Sequence, residues 1–203
     1  METRKKISVV LIAAGIILAL LPLRETRSLH GSPPEILNTA LSDDRMLTPD
    51  QLARLLVSGD SLLNLIDLRP AEEFLSFSIP GAINIPYESM LSGDPSGYLG
   101  KGSFRNVFYS NSDLKSAYAV VIAAGLGYDN CQMMSGGLNG WIESVMNSSF
   151  SGERISAREN ALFETRLKAR RMFSEFNSLP DSLKERYLGS KKFERKKLDG
   201  GCE

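Results

Sequence analysis

The chain has 203 residues with 24 Lys/Arg against 24 Asp/Glu, a size that suits one domain with appendages and a core of its own. The balance hides a split: Leu47 to Met146 carries five basic against ten acidic residues and Ser151 to Glu203 carries thirteen against nine, neither of them the charge density of a nucleic-acid binder. Two cysteines, Cys131 and Cys202, build no disulfide framework or zinc site, and a single histidine, His30, leaves the folded part without an imidazole base, which removes Ser-His and Cys-His schemes.

In chain order, Arg4, Lys5 and Lys6 precede an uncharged apolar run of seventeen residues, Ile7 to Leu23. As a helix this run is about 25 Å long, enough to cross the hydrocarbon layer when flanking residues snorkel. Residues 1–23 read as an uncleaved membrane anchor. A cleaved signal peptide is the competing reading, but LALLPLRETRS places bulky Leu and charge where a small-x-small cleavage site belongs. Three basic residues before the run against Arg24 and Arg27 after it favour an N-terminus inside. The domain is then expected on the extracytoplasmic, periplasmic side, or secreted if the segment is cleaved. Residues 24–45 mix Pro33, Pro34, Ser and Asp without periodicity and read as a linker.

The domain is expected over 46–147. In LTPDQLARLLVSGD, Thr48 is a good N-cap, Pro49 fits the first helical position, Gln51 completes a capping box and Gly59 ends the helix. LLNLIDL is a short apolar run, as in a strand covered on both faces. AEEFL predicts a short helix, AINI a strand and YESML another helix. NVFY predicts a strand, and the helix Asp113–Ala124 follows a polar loop, with Leu114, Ala117, Tyr118, Val121 and Ile122 at helical spacing. CQMM predicts a strand, and GGLNGWIESV completes the series. Strands alternating with helices specify an α/β domain around a mostly parallel sheet. Ligands of such sheets bind at the carboxyl ends of the strands, where the Ser110–Lys115 loop falls, with loop N–H groups and a helix start aimed at one spot.

Residues 148–190 read as a helical extension. Ser156 and Glu159 form a capping box, and Leu162, Ala169, Phe173 and Phe176, with Phe163 and Leu167 alongside, make an apolar stripe on a charged helix. That stripe suits packing back on the domain, with a partner protein as the other reading. A second short helix is expected from near Pro180 to Gly189. Residues 191–203 read as a basic flexible tail ending in Cys202.

Three blocks in order carry a family resemblance: Asp67-x-Arg69 with Glu73-Phe74, then Ile79-Pro80-Gly81-Ala82 with Asn84-Ile85-Pro86, and Gly136-Gly137 with Trp141. Over about Leu47 to Met146 the chain resembles a rhodanese domain. The resemblance implies a sulfurtransferase fold in which a loop cysteine accepts sulfur as a persulfide, inside a ring of backbone N–H groups closed by a cation. Aligned on that pattern, the cysteine position is Ser110, the closing cation is Lys115, a usual glycine is Asp113, and the frequent Gly-His before Ile-Pro-Gly is Phe77-Ser78. The departures fall at the chemistry. A serine oxygen carries no sulfane sulfur, whereas a thiol has a pKa of about 8.5 that a helix start lowers further.

The expectation is therefore a rhodanese-like pseudoenzyme, membrane-bound through residues 7–23, that acts as a binding or accessory module. The degenerate loop Ser110, Asn111, Ser112, Asp113, Leu114 and Lys115 would take a small anion weakly, and a protein partner is expected. No cofactor, metal or nucleic acid is expected. The alternative is a sulfurtransferase or sulfur carrier in periplasmic sulfur or redox metabolism, with Cys202 as the acting thiol. Asp67 and Arg69 are expected to pin a strand end, Trp141 to pack in the core, Cys131 to be an inert buried thiol, and the Ser110 hydroxyl to bond the loop's own backbone.

Overall fold

The computed structural model describes residues 42–92, 95–149 and 156–187, with scattered positions between 4 and 38. Most of the 7–23 segment, most of the linker, the end of the second short helix and the whole 191–203 tail with Cys202 lie outside the described residues. Among the described residues no helix is long and apolar enough to cross a membrane.

A five-stranded sheet in the order β1-β5-β4-β2-β3 organises the chain. Its strands are β1 (Met46–Leu47), β2 (Leu63–Asp67), β3 (Ile83–Asn84), β4 (Arg105–Tyr109) and β5 (Cys131–Met134). Every pairing is parallel; at the centre Leu65 faces Val107 and Asp67 faces Tyr109. Side chains alternate across the sheet. Leu65, Val107, Tyr109 and Met134 join one apolar cluster, while Ile66, Phe108, Cys131 and Met133 join the other. Two buried faces explain why β2 reads as a nearly all-apolar run, with Asn64 and Asp67 as its polar members.

The helix α1 (Pro49–Ser58) has the predicted ends: Thr48 and Gln51 form the capping box, and Gly59 closes the helix at φ +69°. Short helices α2 (Ala71–Ser76) and α3 (Tyr87–Ser92) follow β2 and β3. Helix α4 (Asp113–Gly125) forms as expected, but the stripe that signals it is only partly the face it buries: Ala117, Val121 and Ile122 pack at the edge of the core. Leu114 and Tyr118 are exposed, whereas Ser116, Ala119, Val120, Ala123 and Ala124 are buried. Small side chains let the helix lie close on the sheet, which leaves the bulkier ones at its margin.

Helix α5 (Gly137–Trp141) continues as a turn of π-helix over Ile142–Met146. Helix α6 (Ala157–Asn177) starts at the Ser156–Glu159 capping box. It packs back on the domain: Ala169, Phe173 and Phe176 are buried, and Phe173 meets Trp141 with ring centroids 6.5 Å apart. Burial of each phenylalanine stabilises the docked helix by roughly 1.5–3 kcal/mol. Arg166 grips Asp50 of α1 with two bonds of 2.7 and 2.6 Å. Arg170 donates to Val145 O and to Ser148 O. Residues 181–187 form the helical part of the second short helix.

Candidate functional site

The candidate site lies where β4 ends and α4 begins, at the carboxyl edge of the central strands. Tyr109 is the last strand residue, Ser110 follows with 6 % exposure, and Ser112 is the extended N-cap of α4. The loop is held mainly by its neighbour across the edge, the start of α5. Leu138 N–H donates to Ser110 O at 2.7 Å and Asn139 N–H to Asn111 O at 3.3 Å. This approach requires glycine at 137, because a Cβ there would lie 2.6 Å from Ser110 O at a φ of +55°.

Asp113 has a definite task. Its carboxylate accepts from Gly136 N–H at 2.6 Å and so ties the start of α4 to the start of α5. An acidic residue in the first turn of a helix also complements the helix dipole. Asn111 Nδ2 donates to Glu73 of α2 at 2.8 Å. Lys115 reaches Glu88 of α3 at 3.4 Å and lies 5.6 Å from the Tyr87 ring. The lysine is thus engaged with a carboxylate at the rim, an exposed pair whose attraction solvent largely screens.

Ser110, Asn111, Ser112, Asp113, Leu114 and Lys115 are therefore brought together as one loop and helix start. The Ser110 hydroxyl makes no hydrogen bond among the described residues, so the expectation that it ties the loop backbone gives way. That bracing falls to the carboxylate of Asp113 and the amides of the α5 start, which already sit within reach of the loop. The alignment of Asp113 with a usual glycine carried no hint of this role; the Gly136-Gly137 pair was the available signal of close approach.

Beneath the loop lies the Asp67–Arg69 pair, and here the expected pinning role is seen. Arg69 Nε and Nη2 bind the Asp67 carboxylate at 3.0 and 2.6 Å, and Nη2 also donates to Phe77 O at 2.8 Å. Burial works against the Arg69 charge, but the hydrogen bonds and charge of Asp67 outweigh it and hold the guanidinium above its ordinary value. Asn84 Nδ2 donates to Asp67 O and Arg69 O, which locks the end of β2 to β3. The Tyr109 hydroxyl accepts from Ile79 N–H at 3.2 Å. Burial, with the Asp67 carboxylate adding to it, pushes that phenol well above its ordinary value.

Trp141 is fully buried in the core, as expected. Cys131 is fully buried too, and burial pushes its thiol up to about 12. It pairs with Asn106, four residues before Ser110 and so roughly 13 Å down the strand. A cavity of about 300 Å³ opens at that opposite edge, lined by Arg45, Arg105, Asn130, Cys131 and Gln132. Cys131 is thus remote from the loop, and Cys202 lies outside the described residues.

A family model described as "Rhodanese-like domain" matches residues 48–144. The chain is 31% identical over 104 residues to the human thiosulfate:glutathione sulfurtransferase, a match that covers 46% of this chain and 89% of that protein. Among solved structures, a human single-domain sulfurtransferase matches with a TM-score of 0.42 at 24% identity, over 49% of this chain and 96% of that one. A rhodanese-related protein from Thermoplasma volcanium gives a TM-score of 0.42 at 24% identity, over 49% and 91% of the two chains.

Proposed function

The chain belongs to the family of rhodanese-like domains, and on that premise we propose that it is a membrane-anchored binding module that does not pass sulfur. The observation that carries the reading is the oxygen of Ser110 at the head of the loop. If Ser110 stands where the family places its sulfur-accepting cysteine, the persulfide has no atom to form on. A hydroxyl also needs a strong base to attack anything. The chain's single histidine is His30, and Lys115 is engaged with Glu88. The buried, strongly weakened acid Cys131 offers no thiolate near neutral pH.

What the loop retains is a shape and a set of rim groups. Glu73, Glu88 and Asp113 surround it with negative charge, and Lys115 is the facing cation. A protein segment suits that rim better than a free anion, for which the loop would have only weak affinity. In this reading residues 7–23 are the anchor, and the basic residues before them argue for a domain on the extracytoplasmic side.

Thiosulfate and glutathione, the pair in the human relative's name, are the substrates to test. The full chain in detergent should transfer no sulfur from thiosulfate to glutathione or cyanide. Mass spectrometry should find no added sulfur on residues 46–147. Ser110→Cys, treated in the same way, should acquire sulfur at position 110. Transfer by the unaltered chain, with sulfur found on its folded part, overturns the reading.

A further inference from the structure

The match to the family ends at residue 144, yet two side chains beyond it hold the wall of the site. That wall is the stretch 75–78, which leaves α2 and runs toward Ile79. Phe77 is extended at φ −162° and ψ 141°, and Ser78 is 2 % exposed. Buried backbone outside a sheet or helix still needs partners for its N–H and C=O groups, and side chains can supply them. Asn177, the last residue of α6, supplies both for Ser78: its Oδ1 accepts from Ser78 N–H at 2.8 Å and its Nδ2 donates to Ser78 O at 2.9 Å. A primary amide is the side-chain group that offers a donor and an acceptor side by side. Lys184, with a side chain only 7 % exposed, donates to Leu75 O at 3.2 Å.

The other side of this wall faces the site. Phe77 O accepts from Arg69, and the Phe77 ring lies 5.3 Å from the guanidinium carbon. Ile79, next to Ser78, donates to the hydroxyl of Tyr109, and Tyr109 is the residue before Ser110. We infer that Asn177 and Lys184 are positioning residues: the C-terminal extension fixes the Leu75–Ser78 wall, and through it the Arg69 and Tyr109 side chains that underlie the Ser110–Lys115 loop. The inference does not depend on what the loop binds. It makes the extension a constituent of the site, so a partner that displaced α6 would alter the loop's support.

Backbone amide NMR of the full chain in detergent micelles tests it, with three variants and a control. Asn177→Ala should speed exchange of the Ser78 amide by about tenfold, as one lost hydrogen bond implies, and should shift the amides of residues 109–115. Asn177→Asp keeps an acceptor for Ser78 N–H, so it should preserve most of that amide's protection while losing the bond to Ser78 O. Lys184→Met should shift residues 109–115 through the independent contact at Leu75, which decides the matter if Asn177→Ala does not fold. The control is Arg166→Ala, which removes the Asp50 contact about three turns from Asn177 and leaves the Asn177 and Lys184 bonds intact, so residues 109–115 should stay in place. Shifts that stop at residue 79 in both Asn177→Ala and Lys184→Met overturn the inference. So does an equal disturbance of residues 109–115 by Arg166→Ala.

Discussion

Gly137→Ala is a direct probe of how the loop is built. The added Cβ would lie 2.6 Å from Ser110 O and 2.8 Å from both Asn111 C and Ser112 N. All three are backbone atoms, so no side chain can rotate out of the way. The left-handed backbone at φ +55° costs about 1–2 kcal/mol for a residue other than glycine. Reaching ordinary contact requires the loop and the α5 start to part by roughly 0.8 Å. That movement strains the bonds from Leu138 N–H and Asn139 N–H to the loop carbonyls, each contributing about 0.5–1.5 kcal/mol. With those two bonds weakened rather than lost, the combined loss is about 2–4 kcal/mol. Urea unfolding, followed by fluorescence of the single tryptophan Trp141, should show a midpoint lower by about 1–2 M at an m-value of about 2 kcal/mol/M. Gly59→Ala is the comparison, because its φ is +69° and a Cβ there meets nothing within 4 Å. It should lose only the backbone strain. If Gly137→Ala loses no more than Gly59→Ala, the close approach is not what holds the loop.

Tyr109→Phe should cost about 1–3 kcal/mol, since it leaves Ile79 N–H without its acceptor. The raised Tyr109 value also sets a direction with pH: its stabilisation is whole below the unfolded phenol value of about 10 and is lost as pH rises through the folded one. The stability gap between the two proteins should therefore narrow above pH about 10; a constant gap in urea titrations removes Tyr109 from the account. Cys131, fully buried with its thiol pushed up to about 12, should resist iodoacetamide at pH 8 until urea unfolds the chain, as read by mass spectrometry. A double-mutant cycle of Arg166→Ala and Asp50→Ala should give a coupling of about 0.5–1 kcal/mol, because the pair is bidentate but both side chains are 26 % exposed. A coupling of zero would mean that the Arg166–Asp50 pair adds nothing to the docking of α6, which then rests on the apolar stripe and the Arg170 and Asn177 bonds.

The parts of the fold that were legible are those written in short stretches of chain. The α1 and α6 capping boxes each need only four consecutive residues, Thr48–Gln51 and Ser156–Glu159, and both formed. Four of the five strands were legible, β2 because two-sided burial makes a nearly all-apolar run; the two-residue β1 was not, because it exists only through its pairing with β5, far along the chain. Which face of α4 turns inward was not, because Leu114 and Tyr118 outrank Ala119 and Ala123 in apolar size but not in closeness to the sheet. That ordering is decided by the gap between helix and strand, which depends on residues far apart in the chain.

The same limit governs the site. Read alone, Asp113 is a negative charge at the mouth of an anion cradle. In the fold its carboxylate is occupied by Gly136 N–H, 23 residues away. The amides of Leu138 and Asn139 are occupied in turn by the loop carbonyls of Ser110 and Asn111. These three amides of the α5 start satisfy acceptors of the loop across the edge of the sheet, so they are not free for a ligand. An anion that drew on Gly136 N–H would have to compete with the Asp113 carboxylate, which holds it at 2.6 Å. A segment that makes its contacts with Glu73, Glu88 and the exposed Leu114 and Tyr118 around the loop would leave those internal bonds intact. This bonding is what the proposed reading rests on when it has the loop recognised over its rim rather than filled by an anion.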